Sequence, residues 1–169
     1  RDTTPTDGEH LLVYFTNAET HFTPQVEAAL ARAGCPVKVY GPRRRGTEGS
    51  IEFCPIGNLP FIRDLASCRG VLSTSGNQLI SESIHLGKPL LTVPEEALEQ
   101  RLNAQFVQDW RIGMRADRHG ITPEVIRTFL DRSDEFAANV PAHRRDGLTE
   151  ALEAIEAALD ELTASPARG

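Results

Sequence analysis

The feature that most constrains this chain is an alternation of short, largely apolar runs with segments of helix length. Residues 10–16 carry Leu11, Leu12, Val13, Tyr14 and Phe15 without a polar break. Residues 37–40, 51–53, 71–73, 89–93 and 112–115 are shorter strand-like runs, with Lys38 and Glu52 as polar breaks in the first two. Successive side chains of a strand point to opposite faces, so an unbroken apolar run has to be covered on both. The segments between the runs carry helix punctuation. Thr23-Pro24 is a capping hydroxyl followed by a proline suited to the first helical position, and Gly34 ends that helix. Further helices are expected over about 60–67, 77–86 (closed by Gly87) and 95–110, after which Thr122-Pro123 repeats the start signal and only helices follow. Alternating strands and helices imply right-handed βαβ units. The predicted fold is therefore an α/β, Rossmann-like parallel sheet sandwiched by helices, with extra helices at its C-terminal end. Ligands bind such sheets beyond the carboxyl ends of the strands, which directs attention to the loops after Ser73 and Val93.

Residues 1–9 read as a lead-in or linker, 10–140 as the sheet domain, and 141–169 as a C-terminal helical segment. The last helix, about 147–163, carries Leu148, Leu152, Ile155, Leu159 and Leu162 in one narrow stripe. Packing onto its own sheet is the expected use of that stripe; contact with another domain or subunit is the alternative. At 169 residues the chain can build one ordinary core, and 40% hydrophobic with 25% charged residues is normal for a soluble domain. A net charge of −6 argues against nucleic-acid binding, and the basic run Arg43-Arg44-Arg45 between Pro42 and Gly46 reads as a solvated loop. Cys35, Cys54 and Cys68 lack metal or disulfide spacing and read as reduced thiols of a cytoplasmic protein. No apolar run approaches the roughly 20 residues that span a bilayer. The chain opens at Arg1 and its one methionine is Met114, so an excised domain or trimmed product is expected.

The chemistry-bearing stretch is LSTSGNQLISESIHLGKPLLTVPEEALEQRLNAQF, from Leu72 to Phe106. A strand there passes through Ser73, Thr74, Ser75 and Gly76 directly into a helix at Asn77. Glycine admits a ligand close to the backbone, and the free amides of a helix start suit a diphosphate. Ser and Thr also cap helices with no ligand, so this element alone is weak. Gln78, Glu82 and His85 fall on one helical face, with Leu79, Ile80, Ser83 and Ile84 available to face the sheet. Glu82, about one and a half turns on, could accept both hydroxyls of a ribose; an ordinary surface glutamate is the equal alternative. Glu99, Gln100 and Asn103 are helical neighbours whose acceptors and amides suit hexose hydroxyls, or else they form solvated surface.

The order Ser-Gly, Ser-Glu-Ser, Gly-Lys-Pro-Leu-Leu-Thr-Val-Pro, Glu-Gln and Asn-Ala resembles the donor-binding signature of GT-B glycosyltransferases. It is most similar to the family 28 C-terminal domain typified by the peptidoglycan N-acetylglucosaminyltransferase family. The core of the match covers about residues 51–114. The resemblance implies half of a GT-B fold, with Thr74, Ser75, Gly76 and Asn77 at the diphosphate, Glu82 at the ribose, and Glu99, Gln100 and Asn103 at the sugar. Pro55, Ile56, Gly57 and Asn58 would border the base. Where many members have a glycine-rich loop after the first strand, this chain has Thr16 and Asn17, which could still donate to phosphate.

The resemblance further implies a UDP-sugar donor and a hexosyl transfer with no tightly held metal or cofactor, the helix end stabilising the leaving diphosphate. The general base and the acceptor site would lie in an N-terminal half, leaving this chain inactive alone, and any membrane association would come through that half. His85 is the one local base candidate and reads instead as a surface histidine. Two other functions fit less well. A UDP-N-acetylglucosamine 2-epimerase has a similar architecture, but its relatives share a Thr-Glu-Arg-Pro-Glu stretch where this chain has Pro94-Glu95-Glu96-Ala97. A non-catalytic nucleotide-sugar-binding module would keep the fold without the chemistry.

Overall fold

A computed structural model describes residues 3–117, 119–145 and 147–164, with the side chains of Asn58, Leu148 and residues 161–164 outside the description. In chain order the elements are β1 (Leu11–Tyr14), α1 (Ala18–His21), α2 (Pro24–Leu30), β2 (Val37–Tyr40), β3 (Gly46–Glu48), β4 (Ile51–Cys54) and α3 (Asn58–Ser67). There follow β5 (Gly70–Ser73), α4 (Asn77–His85), β6 (Leu90–Thr92), α5 (Leu98–Asp109), β7 (Gly113–Arg115), α6 (Pro123–Asp131) and α7 (Ser133–Asn139). A 3-10 turn (Val140–His143) leads into α8 (Gly147–Ala164).

The strands form one sheet in the order β3-β4-β2-β1-β5-β6-β7. Every neighbouring pair is parallel except the edge pair β3 and β4. The Rossmann-like sandwich expected from the alternation is the observed architecture. Leu11 and Val13 of β1 join one core layer with Leu30, Val39, Ile126, Phe129 and Phe136, while Leu12 joins Leu65, Leu79, Ile80 and Val107 on the other face. Helices α2, α6 and α7 thus cover one side of the sheet, and α3, α4 and α5 the other. Both Thr-Pro starts cap as expected: Val26 N donates to Thr23 Oγ1 and Val125 N to Thr122 Oγ1, each at 3.3 Å.

Several boundaries differ from the sequence expectation for physical reasons. β3 was not anticipated, because Gly46, Thr47 and Glu48 are all exposed and are held through backbone pairing with β4. The short α1 occupies what read as a loop. The helix expected from residue 95 starts at Leu98, since the Glu95 amide is already bonded to Gln100 Oε1 at 2.8 Å. The C-terminal stripe does not pack on its own sheet: Leu152, Ile155 and Leu159 are 52%, 56% and 55% exposed. Leu148 and Leu162, the other members, lie outside the described side chains. Among the described residues no helix is long and apolar enough to cross a membrane. Cys54 and Cys68 are buried and Cys35 half-buried, all three as free thiols, and burial pushes the Cys68 thiol up to about 12.

Candidate functional site

The strand order reverses at β1, which pairs with β2 on one side and β5 on the other. Chains leaving β1 and β5 turn away to opposite sides of the sheet, so a crevice opens beyond their carboxyl ends. Thr16 follows β1 and Thr74 follows β5, and their hydroxyl oxygens face each other at 3.5 Å across that crevice. The loop after β6, also expected to contribute, lies one strand further out.

A cavity of about 470 Å³ occupies the crevice between α3 and α4. Thr16, Thr74 and Gly76 form its upper wall, Gln78, Leu79 and Glu82 line it along α4, and Ile56 and Gly57 border it from the β4–α3 loop. Its floor is aromatic. Phe61 meets Tyr14 edge-on with ring centroids 5.6 Å apart, and Tyr40 edge-on at 5.0 Å. Tyr40 is held from below: its hydroxyl donates to Asp64 Oδ2 at 2.6 Å, while Lys38 Nζ donates to Oδ1 of the same carboxylate at 2.7 Å. Burial first, then the Asp64 acceptor, push the Tyr40 phenol upward, so it stays a protonated donor.

The β5–α4 loop is the tightest part of the site. Ser75 is fully buried and has φ 67°, a left-handed backbone rarely taken by residues with a side chain. Its Oγ has no hydrogen-bond partner among the described residues. Gly76, by contrast, has an ordinary φ of −64°, and a Cβ added there would meet nothing within 4 Å. Neither strain nor crowding demands a glycine, so what its missing side chain provides is open access to the backbone. Gly76 is the N-cap of α4, and no side chain among the described residues caps that helix. The first-turn amides therefore remain available to a ligand. Within the cavity Glu82 accepts a 3.0 Å hydrogen bond from Gln78 Nε2, which fixes one carboxylate oxygen near the lining of α4.

Not every expected residue borders this cavity. Pro55 and Asn17 are exposed outside its lining, and the Asn58 side chain lies outside the described residues. Asn77 and Asn103 line instead a groove between α4 and α5, together with His85, Phe106 and Trp110. Asn103 Nδ2 donates to the Ser75 carbonyl at 3.0 Å, and Gln100 holds the Glu95 amide; both amides are engaged with backbone rather than simply solvated. Glu99 is exposed. Glu95, not anticipated, bonds through Oε1 to Nε2 of the buried His21, tying α1 to the loop after β6.

Residues 2–133 match the family described as glycosyl transferase family 1. The chain belongs to that family. No curated protein sequence matches it. Among solved structures, the calicheamicin glycosyltransferase CalG4 superimposes with a TM-score of 0.70 at 24% identity, covering 95% of this chain and 46% of that one. The glycotransferase of kitacinnamycin gives 0.69 at 19%, covering 91% and 44%. UGT71G1 of Medicago truncatula, solved with UDP-glucose, gives 0.66 at 21%, covering 83% and 36%. At these identities the likeness is one of fold, and it identifies the sandwich as one half of a GT-B architecture. The chain spans less than half the length of each of these proteins.

In this glycosyltransferase domain, the site residues that the sequence pattern did not reach are Tyr14, Tyr40, Phe61, Ile62, Gln78 and Leu79. Gln78 was placed on the right face without a role. Tyr14 sits at the end of a run read as buried strand, and its half-buried state is the signal that separates it from Leu11 to Val13.

Proposed function

We propose that this chain is the donor-binding half of a glycosyltransferase, holding a nucleoside diphosphate sugar in the crevice between β1 and β5. The observation that carries this is the convergence there of Thr16, Thr74, an unobstructed Gly76 and the uncapped start of α4, with the Glu82 carboxylate further along the same wall. The diphosphate lies against Thr74, Gly76 and the free first-turn amides of α4, where the positive helix end favours anionic charge. Glu82 accepts the ribose hydroxyls, and the base enters beside Ile56 and Gly57 over the aromatic floor. Glu99 and Gln100 reach the sugar, Gln100 through the amide nitrogen left by its bond to Glu95.

Uridine is the nucleoside the order of motifs favours, as in the family 28 domains they resemble. The reaction is a hexosyl transfer in which the charge of the departing UDP is met by the α4 terminus and the neighbouring hydroxyls rather than by a tightly held metal. The acceptor and the general base belong to a second half. A chain under half the length of its structural neighbours and an uncovered α8 stripe both support that division of labour.

Titration calorimetry with UDP, UDP-glucose, UDP-N-acetylglucosamine, GDP and TDP tests the reading. UDP and its sugars should bind, and Glu82→Gln should weaken them by about 1.5–3 kcal/mol through loss of a charged acceptor. Heat with GDP or TDP alone would reassign the base, and unchanged affinity in the variant would take Glu82 out of the site. Hydrolysis or transfer by the isolated domain would overturn the assignment of the base to another half.

A further inference from the structure

Ser75 holds a left-handed backbone that residues with a Cβ resist, and such a conformation persists only where its surroundings fix it. Its own side chain does not do so, since the buried Oγ has no partner among the described residues. Its amide donates to Ser73 Oγ at a long 3.3 Å. The short bond is the one at the other end of the residue, from Asn103 Nδ2 to the Ser75 carbonyl at 3.0 Å.

A peptide unit is planar and trans, so the carbonyl of Ser75 and the N–H of Gly76 point in opposite directions. Asn103 grips the carbonyl from the α5 side, and Gly76 lines the cavity while Asn103 does not. Fixing the oxygen toward α5 therefore turns the Gly76 N–H the other way, toward the crevice. Gln100, one turn earlier on α5, fastens Glu95, and Glu95 in turn fastens His21 of α1. The first turns of α5 thus act as a bracket on the loops that flank the crevice.

We propose that Asn103 is a positioning residue: its bond to Ser75 sets the Ser75–Gly76 peptide plane and so aims the Gly76 amide at the donor diphosphate, without Asn103 touching the donor. The inference rests on the donor site proposed above. It differs from sugar recognition by Asn103 in predicting that the loss falls on the phosphates alone.

The test compares UDP with uridine on the wild-type chain and on Asn103→Leu and Asn103→Asp, with thermal unfolding to establish that each variant is folded. Leucine removes the donor at similar size, and an ionised aspartate keeps the shape but cannot donate. Each should weaken UDP by about tenfold, the worth of one well-placed hydrogen bond, while uridine is unchanged. The aspartate variant, measured relative to wild type, should regain UDP affinity between about pH 8 and about pH 4 as its carboxyl protonates and can donate again. In heteronuclear spectra the Gly76 amide should shift on adding UDP to wild type and shift less in the leucine variant. Equal losses for UDP and uridine, or UDP affinity that is unchanged in both variants, would refute the positioning role and leave the donor site standing. Wild-type protein that binds uridine as tightly as UDP would remove the diphosphate site and this inference with it.

Discussion

Helices α6 and α8 carry the same kind of sequence signal and meet opposite fates. Ile126, Phe129 and Leu130 on α6 are buried in the core layer that also holds Leu72 and Leu91. Leu152, Ile155 and Leu159 on α8 stand more than half exposed. Periodicity reports that a helix has an apolar face; it does not report what surface is left to cover it. By the time the chain reaches Gly147, α2, α6 and α7 have filled one face of the sheet and α3, α4 and α5 the other. The family match ends at Ser133, so α6 lies inside the matched span and α8 beyond it.

The comparison is sharpened most strongly at Phe129. Its ring is fully buried, and a Cβ built on Gly70 would come within 2.7 Å of it, so β5 and α6 meet there with no slack. Phe129→Ala should lower unfolding free energy by about 3–5 kcal/mol in urea titrations, the range for a large aromatic leaving a cavity. A cost below about 1 kcal/mol would mean that α6 is no better anchored than α8. A smaller effect is expected at the start of the same helix. Thr122 Oγ1 accepts from Val125 N, and Thr122→Ala should cost about 1 kcal/mol as that cap is lost. Restoring the loss with Thr122→Ser or Thr122→Asp would show that the hydroxyl acts as a cap and not as packing.

The same contrast governs how much could be read without coordinates. Strands β1, β5 and β6 were legible because both faces of a central parallel strand must be apolar, and Leu11 to Val13 or Leu90 to Leu91 leave no other reading. The crevice was legible in outline, since Ser73 to Gly76 joins a strand directly to a helix. Polar residues were less so. Spacing put Gln100 and Asn103 on one face of α5, but an amide serves a backbone carbonyl as readily as a sugar, and only the fold brings Ser75 within 3.0 Å. Tyr14 and Tyr40 were absorbed into the apolar pattern of their strands although they floor the cavity, because a period of two cannot distinguish a core from a pocket wall. β3 escaped because an exposed edge strand paired to its neighbour through the backbone needs no apolar pattern.

The smallest effect is expected on α8, where its direction still decides something. Leu152 and Ile155 are uncovered, so Leu152→Ser and Ile155→Ser should each change the stability of this chain by no more than about 0.5 kcal/mol. The expectation follows from exposure: substitutions of surface side chains away from packed features usually change stability by no more than about 0.5 kcal/mol. A loss above about 1 kcal/mol from either change would show the stripe covered in solution, and would make α8 a second α6. A neutral result, set beside the large cost at Phe129, would mean that the stripe contributes nothing to folding the sheet domain. Its apolar residues would then have to be explained by a surface other than this sheet, as the proposed second half of the enzyme requires.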